Sequence, residues 1–223
     1  MTAPRLLDLC CRSGGASVGY HRAGWCVEGV DIEPIADYPF TFHRGDALEY
    51  LAEYGHEFDA IHASFPCQSQ TTLQKGTNAA RGYRYPNLIP EGRTALLATG
   101  KPFILENVPS SELRKDVVLC GEMFGLAVIR HRVFEIHGLK IPQPVHVKHR
   151  GRVAGMRHGE WFTGPYFAVY GEGGGKGTVE QWQQAMGIDW TADRKNLAEA
   201  IPPAYTEYVG RAAINQLSLE AAA

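Results

Sequence analysis

Four short apolar runs, separated by turn-forming residues, constrain the fold of this chain more than any other feature. They are RLLDLC (5–10), WCVEGVDI (25–32), FDAIHASF (58–65) and KPFILENV (101–108), and GGASVGYHRAG (14–24) between the first two predicts a helix. A strand with one face in water would alternate apolar and polar residues, whereas these runs are mainly apolar. Parallel strands covered by helices on both faces have this pattern, so the sequence predicts an α/β fold.

The second half of the chain has a different pattern. After about residue 135 it is rich in proline, histidine and glycine, which predicts a small loop-rich lobe. TVEQWQQAMGI and PPAYTEYVGRAAINQL then predict two closing helices, the second with proline at its start. We therefore expect a core over 1–136, an insert over 137–180, and C-terminal helices over 181–223 that pack back on the core.

Composition and length favour a globular enzyme. The chain has 223 residues, of which 44% are hydrophobic and 21% are charged, so neither disorder nor a fibrous repeat is indicated. No apolar run approaches the roughly 20 residues that span a bilayer, and MTAPRLLDLC lacks a signal-peptide pattern because Asp8 interrupts it. We expect a cytoplasmic monomer with no membrane partner.

The cysteines and the charge distribution limit the partners. The five cysteines include no CxxC pair, so neither a disulfide framework nor a zinc site is indicated, and we predict no metal. The formal net charge of −2 hides a basic stretch over 130–158, which is rich in Lys, Arg and His and in which Glu135 is the only acid. Because the position of charge matters more than its sum, this stretch predicts a nucleic-acid partner.

The turn after the first strand, DLCCRSGGASVG, suggests a nucleotide-type ligand. Gly14 and Gly15 would let the backbone approach a ligand closely, and Asp31 ends the next strand, where related folds bind ribose hydroxyls. The motif is not a full GxGxxG, so an ordinary tight turn is the alternative. Asp46 in HRGDALEYL could bind adenine or cap a helix.

Cys67 in ASFPCQSQTT raises the question of a nucleophile. A buried, inert thiol is the ordinary role of cysteine. Pro66, however, removes a backbone donor, so the strand must end there and leave Cys67 at the edge where α/β sheets bind ligands. The polar run that starts at Gln68 would not suit a core.

The order of these motifs resembles the DNA (cytosine-5) methyltransferase family. The resemblance covers DLCCRSGG, VDI, GD, SFPCQ, LENV and RHRVF, and resumes at AEAIPPAYTEYVGRAA. It implies a Rossmann-like sandwich of the S-adenosylmethionine-dependent methyltransferase type, with S-adenosylmethionine as cofactor and DNA as partner. It also implies that Cys67 is the nucleophile at cytosine C6, that Glu106 serves N3, and that Arg130 and Arg132 are the catalytic arginines, the second reaching O2.

The resemblance also assigns binding residues. No metal is needed for this chemistry. The residues implied for the cofactor are Asp8, Cys10, Gly14, Gly15, Asp31, Ile32, Asp46 and Pro66. Those implied for the substrate are Gln68, Asn107, Lys148, Arg150 and Arg152. Of these, Asn107 would hold the loop, and the three cations would bind phosphates.

Several positions depart from the family pattern. Cys10 and Arg12 replace the usual Phe and Gly, which predicts modest cofactor affinity. Val128 replaces the Gln of QxRxR, and Glu199 replaces an Asn, which should loosen the link between the closing helix and the arginine loop. The insert is much shorter than in sequence-reading members, so we expect recognition of at most about two to three bases.

Other substrates and roles stay open. The same chemistry could act on RNA or on free cytosine nucleotides, and the unusual cofactor turn leaves room for a modified donor. From a different class, the chain could be an inactive DNA-binding decoy. A phage-encoded solitary modifier, in the host cytoplasm, is suggested only by analogy.

Overall fold

A seven-stranded sheet forms the centre of the protein in a computed structural model that describes residues 2–66, 87–171 and 175–221. Its strand order is β3-β2-β1-β4-β5-β7-β6; the first five strands are parallel, and β7 is antiparallel to both of its neighbours. This confirms the predicted Rossmann-like α/β fold and adds an antiparallel edge. The strands are β1 (Arg5–Leu9), β2 (Cys26–Asp31), β3 (Thr41–Arg44), β4 (Ala60–Ala63), β5 (Phe103–Asn107), β6 (Val117–Leu119) and β7 (Arg132–His137).

Helices cover both faces of this sheet. Leu6 of β1 belongs to a hydrophobic cluster with Tyr20 and Tyr205, whereas Leu7 belongs to a second cluster with Leu51 and others on the opposite face. Both faces are therefore buried, which explains why the strands do not alternate. The helices are α1 (Gly15–Arg22), α2 (Ala47–Tyr54), α3 (Ile89–Ala98), α4 (Val179–Met186), α5 (Arg194–Glu199) and α6 (Pro203–Ala221), with 3-10 turns at Gly55–Glu57 and Gly121–Phe124.

The C-terminal helix α6 lies directly against α1. A Cβ atom at Gly19 would lie 2.0 Å from Oγ1 of Thr206 and 2.1 Å from the carbonyl oxygen of Pro203. Only glycine allows this approach. The structure thus places α6 against α1, and the division of the chain into core, insert and C-terminal helices stays a prediction.

The lobe predicted to be loop-rich contains a small sheet of three strands, β8 (Val153–Arg157), β9 (Glu160–Phe162) and β10 (Tyr166–Phe167), in the order β10-β8-β9. A third hydrophobic cluster, with Val169 and Trp182 among its members, joins the lobe to the helices that follow it. The limits of the insert at 137 and 180 stay predictions. Among the described helices, none is long and apolar enough to cross a membrane.

Candidate active site

The turn after β1 has an unusual backbone. Cys10 and Arg12 have positive φ angles of 58° and 43°, and Gly14 has a φ of 83°. A Cβ at Gly15 would lie 2.4 Å from the carbonyl oxygen of Ile201. The turn and the protein's own close packing therefore explain both glycines, and their contact with a cofactor stays a prediction.

Asp31 is buried at the carboxyl end of β2, next to an exposed apolar side chain. Its Oδ2 accepts a hydrogen bond from the Arg12 backbone N–H at 3.0 Å, and its Oδ1 accepts one from the Glu33 N–H at 3.1 Å. A carboxylate has about four acceptor positions, so the described residues leave two of them open. The neighbouring Ile32 is 67% exposed, which leaves an apolar surface beside the carboxylate.

Asp46 caps α2. Its Oδ1 accepts hydrogen bonds from the backbone N–H groups of Leu48 at 2.8 Å and Glu49 at 3.0 Å. The capping alternative is therefore present in the structure. Whether Oδ2 also meets adenine stays a prediction.

Two departures from the family pattern contact each other. The Arg12 guanidinium forms ion pairs with Glu33, at 2.6 Å, and with Glu199. Arg12 belongs to the turn after β1, whereas Glu199 is the last residue of α5. This pair links the predicted cofactor turn to the C-terminal region.

Asp8 lies in the middle of the sheet and is fully buried. The Ser17 hydroxyl donates to its Oδ2, while Oδ1 is buried and has no hydrogen-bond partner among the described residues. Burial, with smaller contributions from the charges of Asp31 and Glu106, raises the pKa of Asp8 to about 7. A direct cofactor contact for so buried a side chain stays a prediction.

Glu106 is buried at the end of β5, in an ion pair with the first residue of β7. Arg132 Nε lies 2.9 Å from Glu106 Oε1, and the Ser64 hydroxyl also hydrogen-bonds to Glu106. Burial raises the pKa of Glu106, against the opposing effects of Arg132, Ser64 and Arg130. The carboxyl group is thus biased towards its protonated form.

A chain of buried polar groups leads from α1 to Glu106 on one face of the sheet. The Tyr20 hydroxyl lies 3.0 Å from Nδ1 of His62, and Nε2 of His62 lies 2.9 Å from the Ser64 hydroxyl. Burial lowers the pKa of His62 to about 3, so its ring is neutral. With Glu106 ionised, Tyr20 donates to His62, which donates to Ser64, which donates to Glu106. With Glu106 protonated, the same chain can run in the opposite direction. Sequence reasoning missed His62, which lies in β4, and Ser64, which is the first residue of SFPCQ.

Arg130 is also buried, but it points away from Glu106's ion pair. Its guanidinium donates to the carbonyl oxygens of Val169 at 2.8 Å and Ala198 at 2.6 Å. Its own carbonyl accepts from the Tyr205 hydroxyl at 2.6 Å. The arginine loop is therefore linked to the lobe, to α5 and to α6, and whether Glu199 loosens this link relative to Asn stays a prediction.

Asn107 holds the end of β5 against the segment before Cys67. Its Nδ2 donates to the Phe65 carbonyl at 2.9 Å, and its Oδ1 accepts from the Val108 N–H at 2.9 Å. Pro66 is exposed at the end of this segment. Cys67 and Gln68 lie outside the described residues, so their roles as nucleophile and substrate contact stay predictions.

The predicted phosphate-binding residues lie in the loop between β7 and β8. Lys148, Arg150 and Arg152 are all exposed. Beside them, four side chains that the sequence did not mark as a site bring their ligand atoms within 4.8 Å of one another and could hold a metal ion. They are Cys120, His131, His146 and His149, called the Cys-His cluster below.

Comparisons with known proteins agree with this fold. No protein-family model matches the chain. One curated relative, the type II methyltransferase M.XorII of Xanthomonas oryzae pv. oryzae, is 28% identical over 166 residues. The matched segment is 64% of this chain, and it spans only 39% of the relative's length.

Two solved structures are similar over nearly the whole chain. A protein described as a DNA modification methyltransferase encoded within an E. coli prophage has a TM-score of 0.61, with 14% identity over 97% of this chain and 100% of that chain. The S. pombe Dnmt2 methyltransferase has a TM-score of 0.65, with 11% identity over 96% and 99%. At such low identity the likeness shows the fold, which is the Rossmann-like sandwich of methyltransferases.

Proposed function

We propose that this protein is a methyltransferase that modifies C5 of cytosine in DNA. One observation carries the proposal: a buried carboxyl group with a raised pKa, Glu106, is paired with Arg132 and linked through Ser64 to the strand that leads to Cys67. The printed names of M.XorII and of the prophage protein, a type II methyltransferase and a DNA modification methyltransferase, support the same class.

The residues at the ends of β1 and β2 suit S-adenosylmethionine. Asp31 keeps acceptor positions for ribose hydroxyls, and the exposed Ile32 offers an apolar surface for adenine. When bound, S-adenosylmethionine would supply the electrophilic methyl group that C5 of cytosine accepts.

The remaining steps belong to the chain's own side chains. Cys67, as a thiolate, would add to C6 and make C5 nucleophilic, which is covalent catalysis. Glu106 would donate its proton to N3, where negative charge arrives, and Arg132 would donate a hydrogen bond to O2. After the methyl group is on C5, the C5 proton leaves to a base and the C6–S bond breaks, which frees Cys67. Arg130 would position the loop that carries Arg132.

DNA would lie against the basic side of the lobe. Lys148, Arg150 and Arg152 are exposed cations in one short stretch, as phosphate contacts require. Each bidentate base contact adds only about 1–3 kcal/mol of discrimination, so a lobe this small should read about two to three bases. Single-base-resolution sequencing of methylated genomic DNA tests this; a strict motif of four or more bases would contradict it.

A trapping experiment tests the reaction. Incubation with S-adenosylmethionine and DNA that contains 5-fluorocytosine should give a complex that survives denaturation, because fluorine cannot leave C5 as a proton does. Cys67→Ser should form no such complex, while Cys26→Ser, which changes an exposed thiol, should trap like the unmodified protein. Equal trapping by Cys67→Ser would overturn the proposal.

The same assay separates the other candidate substrates. Parallel reactions with DNA, RNA and dCMP identify the accepted polymer or nucleotide, and mass spectrometry of the product base detects a group other than methyl. Binding of DNA without any product would favour the inactive decoy.

A further inference from the structure

The Cys-His cluster brings three separate chain segments to one point. Cys120 follows β6 and is buried, His131 precedes β7, and His146 and His149 lie in the loop that leads into the lobe. These segments are up to 29 residues apart in sequence. Neither a helix nor a shared strand brings them together, so the convergence of their ligand atoms needs its own explanation.

Three of the distances within the cluster are close to the edges of a metal tetrahedron, and all four ligand atoms lie within 4.8 Å of one another. Nε2 of His131 lies 3.0 Å from Nε2 of His146 and 3.3 Å from Nε2 of His149, and Sγ of Cys120 lies 3.7 Å from Nε2 of His149. Four-coordinate zinc, with bonds of about 2.0 Å to nitrogen and 2.3 Å to sulfur, gives edges of roughly 3.3 Å between nitrogens and 3.6 Å between sulfur and nitrogen.

A neighbouring carboxylate orients one of these rings. Nδ1 of His149 lies 2.5 Å from Oε2 of Glu122, and Oε1 of Glu122 accepts from the Tyr166 hydroxyl at 2.5 Å. Because the carboxylate accepts, the His149 proton is on Nδ1, and the Nε2 lone pair faces Cys120 and His131. Carboxylates that hold the second nitrogen of a histidine in this way are typical around metal ligands.

Hydrogen bonds alone do not satisfy such a group. The Nε2 atom of His131 is close to two other Nε2 atoms, yet it can donate its one proton to only one of them. A single cation at the centre would accept all three nitrogen lone pairs and the thiolate at once.

We propose that Cys120, His131, His146 and His149 bind one structural zinc ion. Thiolate and imidazole are both ligands that zinc binds, and four protein ligands leave no open position for a substrate. Binding would release the Cys120 proton to solvent, since the thiolate is the ligand. This assignment goes beyond the sequence, which shows no CxxC spacing and predicts no metal.

The position of the cluster gives the ion a role. His131 lies between Arg130 and Arg132, so zinc would fix the arginine loop beside Glu106. His146 and His149 flank Lys148, so the same ion would hold the basic stretch against that loop. The metal site itself does not depend on the proposed reaction.

Metal analysis of the full chain tests the site. Protein produced with zinc and passed through a weak chelator should keep about one zinc ion per chain. After exchange into cobalt, it should show the visible bands of tetrahedral Co²⁺ together with a thiolate-to-metal band. Less than about a tenth of an ion per chain after reconstitution with zinc, and no cobalt spectrum, would overturn the proposal.

Variants identify the ligands. Cys120→Ser should remove the thiolate band, and His149→Ala should lower zinc content at least tenfold. Cys26→Ser and His56→Ala, which change exposed residues outside the cluster, should keep the full content. If Cys120→Ser keeps its zinc and still shows the thiolate band, Cys120 is not a ligand, even if the unmodified protein copurifies with zinc. Because cobalt binding by the unmodified chain is measured separately, a variant that fails to fold does not leave the question undecided.

Discussion

The carboxyl edge of the central sheet and the lobe beside it are held in place by different forces. At the edge, Asp8 and Glu106 project from strands that two large hydrophobic clusters bury on both faces. In the lobe, fewer large apolar side chains are buried. The cluster around Val169 and Trp182 joins it to the helices that follow, and polar contacts through Arg130 and Glu122 add further links.

This difference has consequences for mutation. A residue at the sheet edge keeps its position because many neighbours are packed around it, so its replacement should change chemistry or titration more than architecture. A residue that anchors the lobe makes a few strong contacts, so its replacement should release a whole segment. Five predictions test the distinction, from the largest expected effect to the smallest.

Glu106→Gln should lower the methyl-transfer rate by roughly 100- to 10,000-fold, the range typical of general acid catalysis. Glutamine has nearly the same shape as a protonated glutamate, so the thermal midpoint and DNA affinity should change little. Single-turnover kinetics on DNA measure the rate. Glu53→Gln, on the exposed face of α2, is the control, and an unchanged rate in Glu106→Gln would remove Glu106 from the mechanism.

Asp8→Asn should change the dependence of stability on pH. Because the folded-state pKa is raised to about 7, the contribution of Asp8 to stability is fully present below its unfolded pKa, near 4, and is lost as pH rises to about 7. Relative to Asp8→Asn, the free energy of unfolding of the unmodified protein should fall by up to roughly 4 kcal/mol over this pH interval, at about 1.4 kcal/mol per pKa unit.

Urea unfolding at several pH values measures this difference. Asp189→Asn, at an exposed position, provides the control. Parallel curves for the unmodified protein and Asp8→Asn would mean that the carboxyl group is not buried in its neutral form.

Arg130→Met should lower the free energy of unfolding by about 3 kcal/mol, since it leaves the carbonyls of Val169 and Ala198 without a charged donor. Limited proteolysis should then cut the lobe before the central sheet. Arg22→Met, on the exposed end of α1, should change neither measurement. If the protease cuts the central sheet and the lobe of Arg130→Met at the same rate, the two regions are not held independently.

Arg150→Ala combined with Arg152→Ala should weaken DNA binding alike for all sequences. If each arginine contacts a phosphate, the slope of log affinity against log salt should fall by roughly 0.9 for each residue removed. Fluorescence anisotropy at several salt concentrations measures this slope. Arg22→Ala with Lys115→Ala removes two exposed cations elsewhere, and an equal change in that variant would show that the effect is not local.

The Arg12–Glu199 pair should show the smallest effect. Both side chains are partly exposed, so a double-mutant cycle with Arg12→Gln and Glu199→Gln should give a coupling energy of about 0.5–1 kcal/mol. The exposed Arg211–Glu207 pair of α6 serves for comparison and should couple more weakly. A coupling energy of zero would mean that Arg12 and Glu199 contribute to stability independently.

Much of the sheet edge follows from the sequence because its signals are local. The apolar runs predict β1, β2, β4 and β5. The residues at the ends of β2 and β5, Asp31 and Glu106, therefore lie at the same carboxyl edge of a parallel sheet, with β1 and β4 between them. Leu105 and Val108 also indicate the burial of Glu106, which the structure shows. The antiparallel β6 and the lobe strands β9 and β10 lack such signals, since strands of two or three residues have no measurable period.

The contacts between distant segments were decided by tertiary structure. Arg12 and Glu199 are 187 residues apart, and in sequence each is only a departure from a family pattern. The ligand atoms of the Cys-His cluster come from loops whose course depends on how β6, β7 and the lobe pack, so spacing alone does not reveal them. Sequence determines which side chains face the core through local periodicity, whereas the meeting of polar side chains from separate loops depends on packing angles that no short stretch encodes.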